Sequence, residues 1–314
     1  MKKYLRIMRV DHWIKQLFIF PGLIFALLLT NDSMRMESGF KLLLIRIMIG
    51  FFSTCFIASA NYVINEWLDA EFDKFHPVKK YRAVVQGGIQ GRYVYLLYAV
   101  LTFLGLLLAF RVNWMFFLME IWLWVMGILY NVRPFRTKDV FILDVLSESV
   151  NNAIRLLIGW FIVIDNYLPP VSIVIGYWFA GAFLMDVKRF AEYRMINDKS
   201  TAALYRKSFQ YYSEHTLLSL ALFYAMISIF FVGVFLVKYR VEYVLLVPFL
   251  VTLFVYYLNM SFKRDSAAQA PEKLYKEKGL MIVVGIVIAA FVLLTRIDIP
   301  QLYTLLSTEL IKLR

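Results

Sequence analysis

The sequence predicts an all-α fold, a polytopic membrane helical bundle of about nine transmembrane helices. The 314 residues are 61% hydrophobic with a mean hydropathy of +0.67, too apolar for a chain folded in water. Apolar runs near the twenty residues that cross a bilayer recur from one end to the other. Between them, Lys and Arg collect in alternate connections, the charge signature of a chain threaded back and forth through a membrane.

The runs place spans at about 16–31, 42–64, 93–110, 114–130, 140–164, 168–185, 216–237, 241–258 and 279–295. No linker, repeat or soluble segment separates them, so one helical domain is expected over residues 1–314. The basic start and the apolar run from Leu17 to Leu29 have the outline of a secretory signal. The following Thr-Asn-Asp-Ser-Met-Arg lacks a small-residue cleavage site, so the run is read as a span.

Alternate connections hold 24 Lys and Arg on the side of the amino terminus and 8 on the other, with Arg46 and Arg155 inside spans. The amino terminus is therefore expected in the cytoplasm and the carboxyl terminus outside. The same distribution accounts for the formal charge of +12 without nucleic acid, since no single basic patch forms. The one cysteine, Cys55, excludes a disulfide framework or a Cys-based metal site within one chain.

The second span runs into Asn65-Glu66-Trp-Leu-Asp69-Ala-Glu-Phe-Asp73. If its helix continues, Asn65, Asp69 and Asp73 recur every four residues on one face, with Glu66 beside them. Such a row repels itself unless a cation faces it, and oxygen-only donors point to Mg²⁺ rather than zinc. The basic residues Lys74, His76, Lys79, Lys80 and Arg82 follow, with Pro77 turning the chain. Carboxylates for a metal followed by cations for phosphate describe a diphosphate site; the alternative is a solvated loop whose acids and bases pair with one another.

Other polar groups occupy the same predicted face. Arg9-Val-Asp-His-Trp-Ile-Lys15-Gln16 reads either as an interfacial anchor or as a segment from which Lys15 reaches a substrate head group. The connection after the fourth span brings Arg133, Arg136 and Lys138, and Asp144, Glu148 and Arg155 enter the fifth. Spaced by four and seven residues, these three share a face that either lines a polar cavity or carries a Glu148–Arg155 pair inside the bundle. The sixth span ends in Asp186-Val-Lys188-Arg189-Phe-Ala-Glu192, and Arg206 and Lys207 precede the seventh. This polar helical end reads either as one side of a cavity that holds a metal–diphosphate group or as the positive-inside bias at a helix end. His12, His76 and His215 show no metal-ligand spacing.

With nine spans and Asn-Glu-x-x-Asp-x-x-x-Asp after the second, the chain resembles the UbiA superfamily of intramembrane prenyltransferases, whose first motif is Asn-Asp-x-x-Asp-x-x-x-Asp. Glu66 stands where the family has its first Asp. The family's second motif, Asp-x-x-x-Asp after span six, is replaced by Lys188-Arg189-Phe-Ala-Glu192. This is similar to the Lys-Arg-Tyr-Ala-Glu of the decaprenyl-phosphate phosphoribosyltransferase branch, as are His12-Trp-Ile-Lys15-Gln-Leu-Phe-Ile-Phe and His76-Pro-x-Lys79-x-x-Arg82. Asp186, where that branch has a small residue, and the segment from Tyr130 to Gly159 depart from it.

The resemblance implies a UbiA-like bundle, integral to a bacterial cytoplasmic membrane. It implies Asp69 and Asp73 as catalytic Mg²⁺ ligands, Asn65 and Glu66 as supporting ligands, and Lys79, Arg82, Lys188 and Arg189 as phosphate contacts. Lys15, Arg133, Lys138, Asp144, Arg155 and Glu192 complete the candidate substrate-binding set. The expected reaction moves a phosphoribosyl group from phosphoribosyl diphosphate, the soluble activated donor, to a polyprenyl phosphate, the lipid-linked acceptor. Two alternatives stand beside it: transfer of an isoprenyl group from a prenyl diphosphate to an aromatic or other small acceptor, and a transporter or lipid carrier using Asp144, Glu148 and Arg155.

Overall fold

A computed structural model describes residues 2–30, 39–263, 266–269 and 271–306. Every regular element among these residues is helical: α1 (Lys2–Ile7), α2 (Phe20–Leu29), α3 (Phe40–Asp73), α4 (Gly91–Phe110), α5 (Trp114–Asn131), α6 (Leu143–Val163), α7 (Val171–Ile196), α8 (Lys199–Tyr205), α9 (Glu214–Tyr239), α10 (Val247–Ser261), α11 (Lys278–Arg296) and α12 (Pro300–Leu306), with short 3₁₀ turns between them. Eight described segments are long and apolar enough to cross a membrane. The 21-residue α6 adds a ninth helix of spanning length, roughly 31 Å at 1.5 Å per residue. Its first half carries Asp144, Glu148 and two asparagines, which is why it is less apolar than the rest.

The first span is not the single helix expected at 16–31. A 3₁₀ segment, Val10–Ile19, joins α1 to α2, and Arg9 turns the chain between α1 and that segment with φ 50°. Pro21 near the start of α2 fits there because the first helical residues have no intrahelical acceptor for their N–H. This composite span locks onto α6 through two glycines. A Cβ on Gly22 would stand 1.8 Å from the Leu156 carbonyl oxygen, and one on Gly159 would stand 1.8 Å from that of Ile19. Small residues let the two backbones touch, the usual way helices associate where lipid competes for apolar contact.

Of five apolar clusters among the described residues, the two largest flank the polar half of α6. One gathers Ile19, Leu23, Ile57, Phe116, Leu123, Ile154 and Phe161 from the first half of the chain. The other gathers Ala182, Phe183, Val187, Tyr224, Tyr257 and Met260 from α7, α9 and α10. Helix α6 supplies residues to both, placing its polar first half between them. The connections after α3, α5, α7 and α10 meet at one end of the bundle, tied by Lys79 to Glu192, Arg136 to Asp69, Arg206 to Tyr130 and Gln269 to the Ala191 carbonyl.

Candidate active site

Helix α3 runs on to Asp73, and the four-residue spacing puts Asn65, Asp69 and Asp73 on the wall of one cavity of about 820 Å³. The same wall takes Lys15 from the first span, Lys79 and Arg82 from the connection after α3, Glu148 and Arg155 from α6, and Lys188 and Glu192 from α7. Residues scattered over 178 positions of sequence thus converge because the connections after α3, α5 and α7 lie at the same end of the bundle.

Each carboxylate of the acidic row is neutralised. Asp73, 2% exposed, accepts from Arg82 Nη1 at 2.5 Å. Asp69 accepts from Lys138 and, at 2.9 Å, from Arg136 Nη2. Asn65 donates to the Asn131 side chain, whose oxygen also accepts from Lys138 at 2.7 Å. Burial pushes the Lys138 ammonium down to about 8 against the pull of Asp69. Lys79 is buried too, yet Glu192, with Oε1 at 2.8 Å, holds its ammonium above the ordinary range.

His76 is no ligand in waiting. Its Nδ1 accepts the backbone N–H groups of Val78 and Lys79, both at 3.1 Å, and so caps the turn that presents Lys79. Burial, then the charge of Lys79, pushes the imidazole down to about 3.

Five of the candidate residues are not on the cavity wall. Glu66 faces a second cavity of about 240 Å³ beside Arg6, Arg9 and Arg82, because one helical step rotates its side chain about 100° from Asn65. Arg133 is exposed and meets Glu71 at 3.3 Å. Arg136 turns inward instead, from a backbone with φ 26°. Lys138 lies behind Asp69 and Asn131, 3% exposed. Asp144, in the first turn of α6, points away from the cavity and accepts from Tyr212 at 2.7 Å and Ser208 at 3.0 Å. Arg189, fully buried, bonds Glu148, Glu192, Asp144 and Tyr130 from behind the wall.

The Glu148–Arg155 pair does not form. Glu148 accepts from Arg189 and from Tyr130 at 2.7 Å, while Arg155 Nε donates to Gln16 Oε1 at 2.9 Å. The wall also includes Arg9, Tyr130, Asn151, Asn152, Tyr205 and Arg206, none singled out above as a contact for the substrate. Arg206 had a signal, its place in the basic connection after α7, and Asn151 and Asn152 had theirs as amides inside a span.

Asn65, Asp69 and Asp73 offer hard oxygen donors on one cavity face, chemistry that fits a divalent cation such as Mg²⁺. Among the described residues no three His, Cys, Asp or Glu side chains already converge as a metal cage. Arg82, Arg136 and Lys138 carry the counter-charge that a bound ion would share.

A polytopic helical bundle with an acidic row on the wall of a largely basic cavity at one end defines the class: a membrane-spanning helical protein with a charged cavity among its helices. The family profile described as UbiA prenyltransferase family matches residues 18–276, and the chain belongs to that family. It is 25% identical over 210 residues to the decaprenyl-phosphate phosphoribosyltransferase of Mycolicibacterium smegmatis, covering 67% of this chain and 62% of that one. It is 26% identical over 219 residues to the nodulation protein NoeC of Azorhizobium caulinodans, covering 69% and 66%. The matches thus span less than two thirds of the length of these relatives. The UbiA homologue of Archaeoglobus fulgidus, solved bound to GPP and Mg²⁺, superposes with a TM-score of 0.68 at 20% identity, covering 94% of this chain and all of that one. The fold is therefore that of the family, and the protein is an integral membrane protein.

Proposed function

We propose that the chain is a Mg²⁺-dependent intramembrane transferase, one helical domain that moves a phosphoribosyl group from phosphoribosyl diphosphate to a polyprenyl phosphate at the cytoplasmic face. The observation that carries this reading is the charge of the cavity wall. Where a second carboxylate row would sit, α7 presents Lys188 and Glu192, and the described wall holds eight Lys and Arg against five Asp and Glu. That excess suits a donor with phosphate at both ends and an acceptor that is itself a phosphate. The similarity to decaprenyl-phosphate phosphoribosyltransferase supports the same choice.

In this reading Asn65, Asp69 and Asp73 hold the metal, with Glu66 excluded from direct contact by its direction. Bound Mg²⁺ supplies charge neutralisation for the departing diphosphate. Arg82 stands beside Asp73 to receive that diphosphate. Lys79, Lys188 and Arg206 take the donor's 5-phosphate, with Glu192 free to accept from a ribose hydroxyl on exchange of Lys79. Lys15 and Arg155 take the acceptor phosphate. A phosphate oxygen of the lipid bonds to the anomeric carbon as the carbon–oxygen bond to diphosphate breaks, and diphosphate leaves with the electron pair. The acceptor is already anionic, so no general base is required; this agrees with a neutral His76 engaged in capping.

A second reading keeps the enzyme class and changes the donor to a prenyl diphosphate. The fold shared with a homologue solved with GPP and Mg²⁺ favours it. Protein reconstituted in liposomes with polyprenyl phosphate, offered either labelled phosphoribosyl diphosphate or a labelled prenyl diphosphate with a small aromatic acceptor, separates the two. Label entering the lipid phase from phosphoribosyl diphosphate, dependent on Mg²⁺, is the expected result. Product from the prenyl donor alone would transfer the assignment to the second reading, and uptake without any covalent product would make the chain a carrier.

A further inference from the structure

Arg189 belongs by sequence to the pair of basic residues expected to meet the substrate, yet it is fully buried and off the cavity wall. Its guanidinium is spent on carboxylates. Nη1 donates to Glu192 Oε2 at 3.3 Å, Nη2 to Glu148 Oε2, and Nε to Asp144 Oδ2 at 3.4 Å.

The two glutamates divide their oxygens. With Oε2 each is held by Arg189 from behind, and with Oε1 each meets a lysine on the wall: Glu192 meets Lys79 at 2.8 Å and Glu148 meets Lys188 at 3.8 Å. Arg206, 3.8 Å from Asp144, completes the cluster. Four cations therefore face three carboxylates. Take away Arg189 and three cations balance three carboxylates, leaving Lys79 and Lys188 as the cations at ion-pair distance from the glutamates and no surplus for a ligand.

We propose that Arg189 is a positioning residue: as the shared counter-charge of Glu148 and Glu192 it keeps Lys79 and Lys188 available as a paired clamp for a phosphate or diphosphate group, without touching that group itself. This deepens the reading of the cavity as a phosphate-binding site and rests on it. A planar guanidinium suits the task because its five N–H groups satisfy several carboxylates at once, which an ammonium on the same stem does not.

The test uses the full chain purified in detergent, with inorganic diphosphate as probe and a chelator present so that the clamp is read apart from any metal. Titration calorimetry gives Kd, and thermal unfolding reports the folded state. Arg189→Gln should weaken diphosphate binding by about tenfold or more, the scale of losing a charge-assisted contact. Arg189→Gln combined with Glu192→Gln restores the surplus charge and should return Kd to within about threefold of the parent protein. If the double variant stays as weak as the single one, Arg189 contacts the anion directly and the proposal fails. If Arg189→Gln melts lower but binds as the parent does, the residue is only structural and the proposal fails.

Should Arg189→Gln not fold, Glu192→Gln alone decides: unchanged or tighter binding supports the clamp, and weaker binding overturns it. A parent protein that binds no diphosphate would overturn the phosphate-site reading as well; binding unaffected by Arg189 would overturn this inference alone.

Discussion

Replacing Asp69 by Asn separates two roles that coincide in one carboxylate. Oδ1 of Asp69 accepts from Lys138 and from Arg136, which are only 4% and 7% exposed. A charge-assisted hydrogen bond contributes about 1.5–3 kcal/mol and a neutral one about 0.5–1.5, so converting both costs roughly 2–3 kcal/mol. Lys138 is then left with neutral amide oxygens alone, that of Asn131 at 2.7 Å among them. Asp73 has a single such bond, from an Arg82 that is 18% exposed, and Asp73→Asn should cost only about 1 kcal/mol. Stability, followed by tryptophan fluorescence on heating in detergent, should therefore fall more for Asp69→Asn than for Asp73→Asn. Transfer activity should fall by about a hundred- to a thousandfold or more in both, because each removes a donor to the metal that offsets leaving-group charge. Adding Lys138→Met to Asp69→Asn removes the stranded cation and should recover most of the stability and none of the activity. Recovery of activity along with stability would mean that Asp69 serves only as the counter-ion of Lys138, and the metal role would be refuted.

Glu66→Gln should change the Mg²⁺ concentration for half-maximal activity by less than about threefold, since Glu66 faces the smaller cavity, whereas Asp73→Asn should raise it by more than about tenfold; a Mg²⁺ titration of each variant checks this. Lys188→Met should lower kcat/KM for phosphoribosyl diphosphate by about ten- to a hundredfold and lose much less with a donor lacking the 5-phosphate; equal losses with both donors would remove Lys188 from that contact. His76, held near 3 when folded against an ordinary 6.5, takes up a proton more readily when unfolded. Its contribution is fully present above pH 6.5 and is lost on acidification toward 3, at up to about 1.4 kcal/mol per pH unit, so His76→Gln should flatten the stability profile between pH 6.5 and 5.

The bundle was legible because apolar length and the Lys/Arg bias are properties of the chain itself. Even α6, whose polar half hides it from a hydropathy criterion, was recognisable at 140–164 from its apolar second half. The first span was less so, since neither the turn at Arg9 nor the 3₁₀ segment leaves a periodic signature. The acidic row was readable for the same physical reason that it forms: four-residue spacing on a continuing helix sends Asn65, Asp69 and Asp73 the same way, and the adjacent Glu66 another. In the connections no such rule applies. Which of Arg133 and Arg136 turns inward depends on backbone torsions set by the packing around Asp69, and sequence spacing does not encode them. Asp144 and Glu148 do share a face and both meet Arg189, but the first turn of α6 also packs Asp144 against Tyr212 and Ser208, more than 60 residues away, which keeps it off the cavity wall. Arg189 illustrates the remaining gap: residue type marks a cation, and only the fold tells whether its partners are ligand or protein.

The central claim is tested most directly by the product. Membranes containing the chain, supplied with Mg²⁺ and isotopically labelled phosphoribosyl diphosphate, are extracted and their lipids are analysed by mass spectrometry beside membranes carrying Asp73→Ala. The expected result is a polyprenyl phosphate carrying a labelled phosphopentose, formed by the parent protein and absent with the folded variant. A labelled lipid of equal abundance in both, or no labelled lipid from this donor while a prenyl diphosphate is consumed, would contradict it.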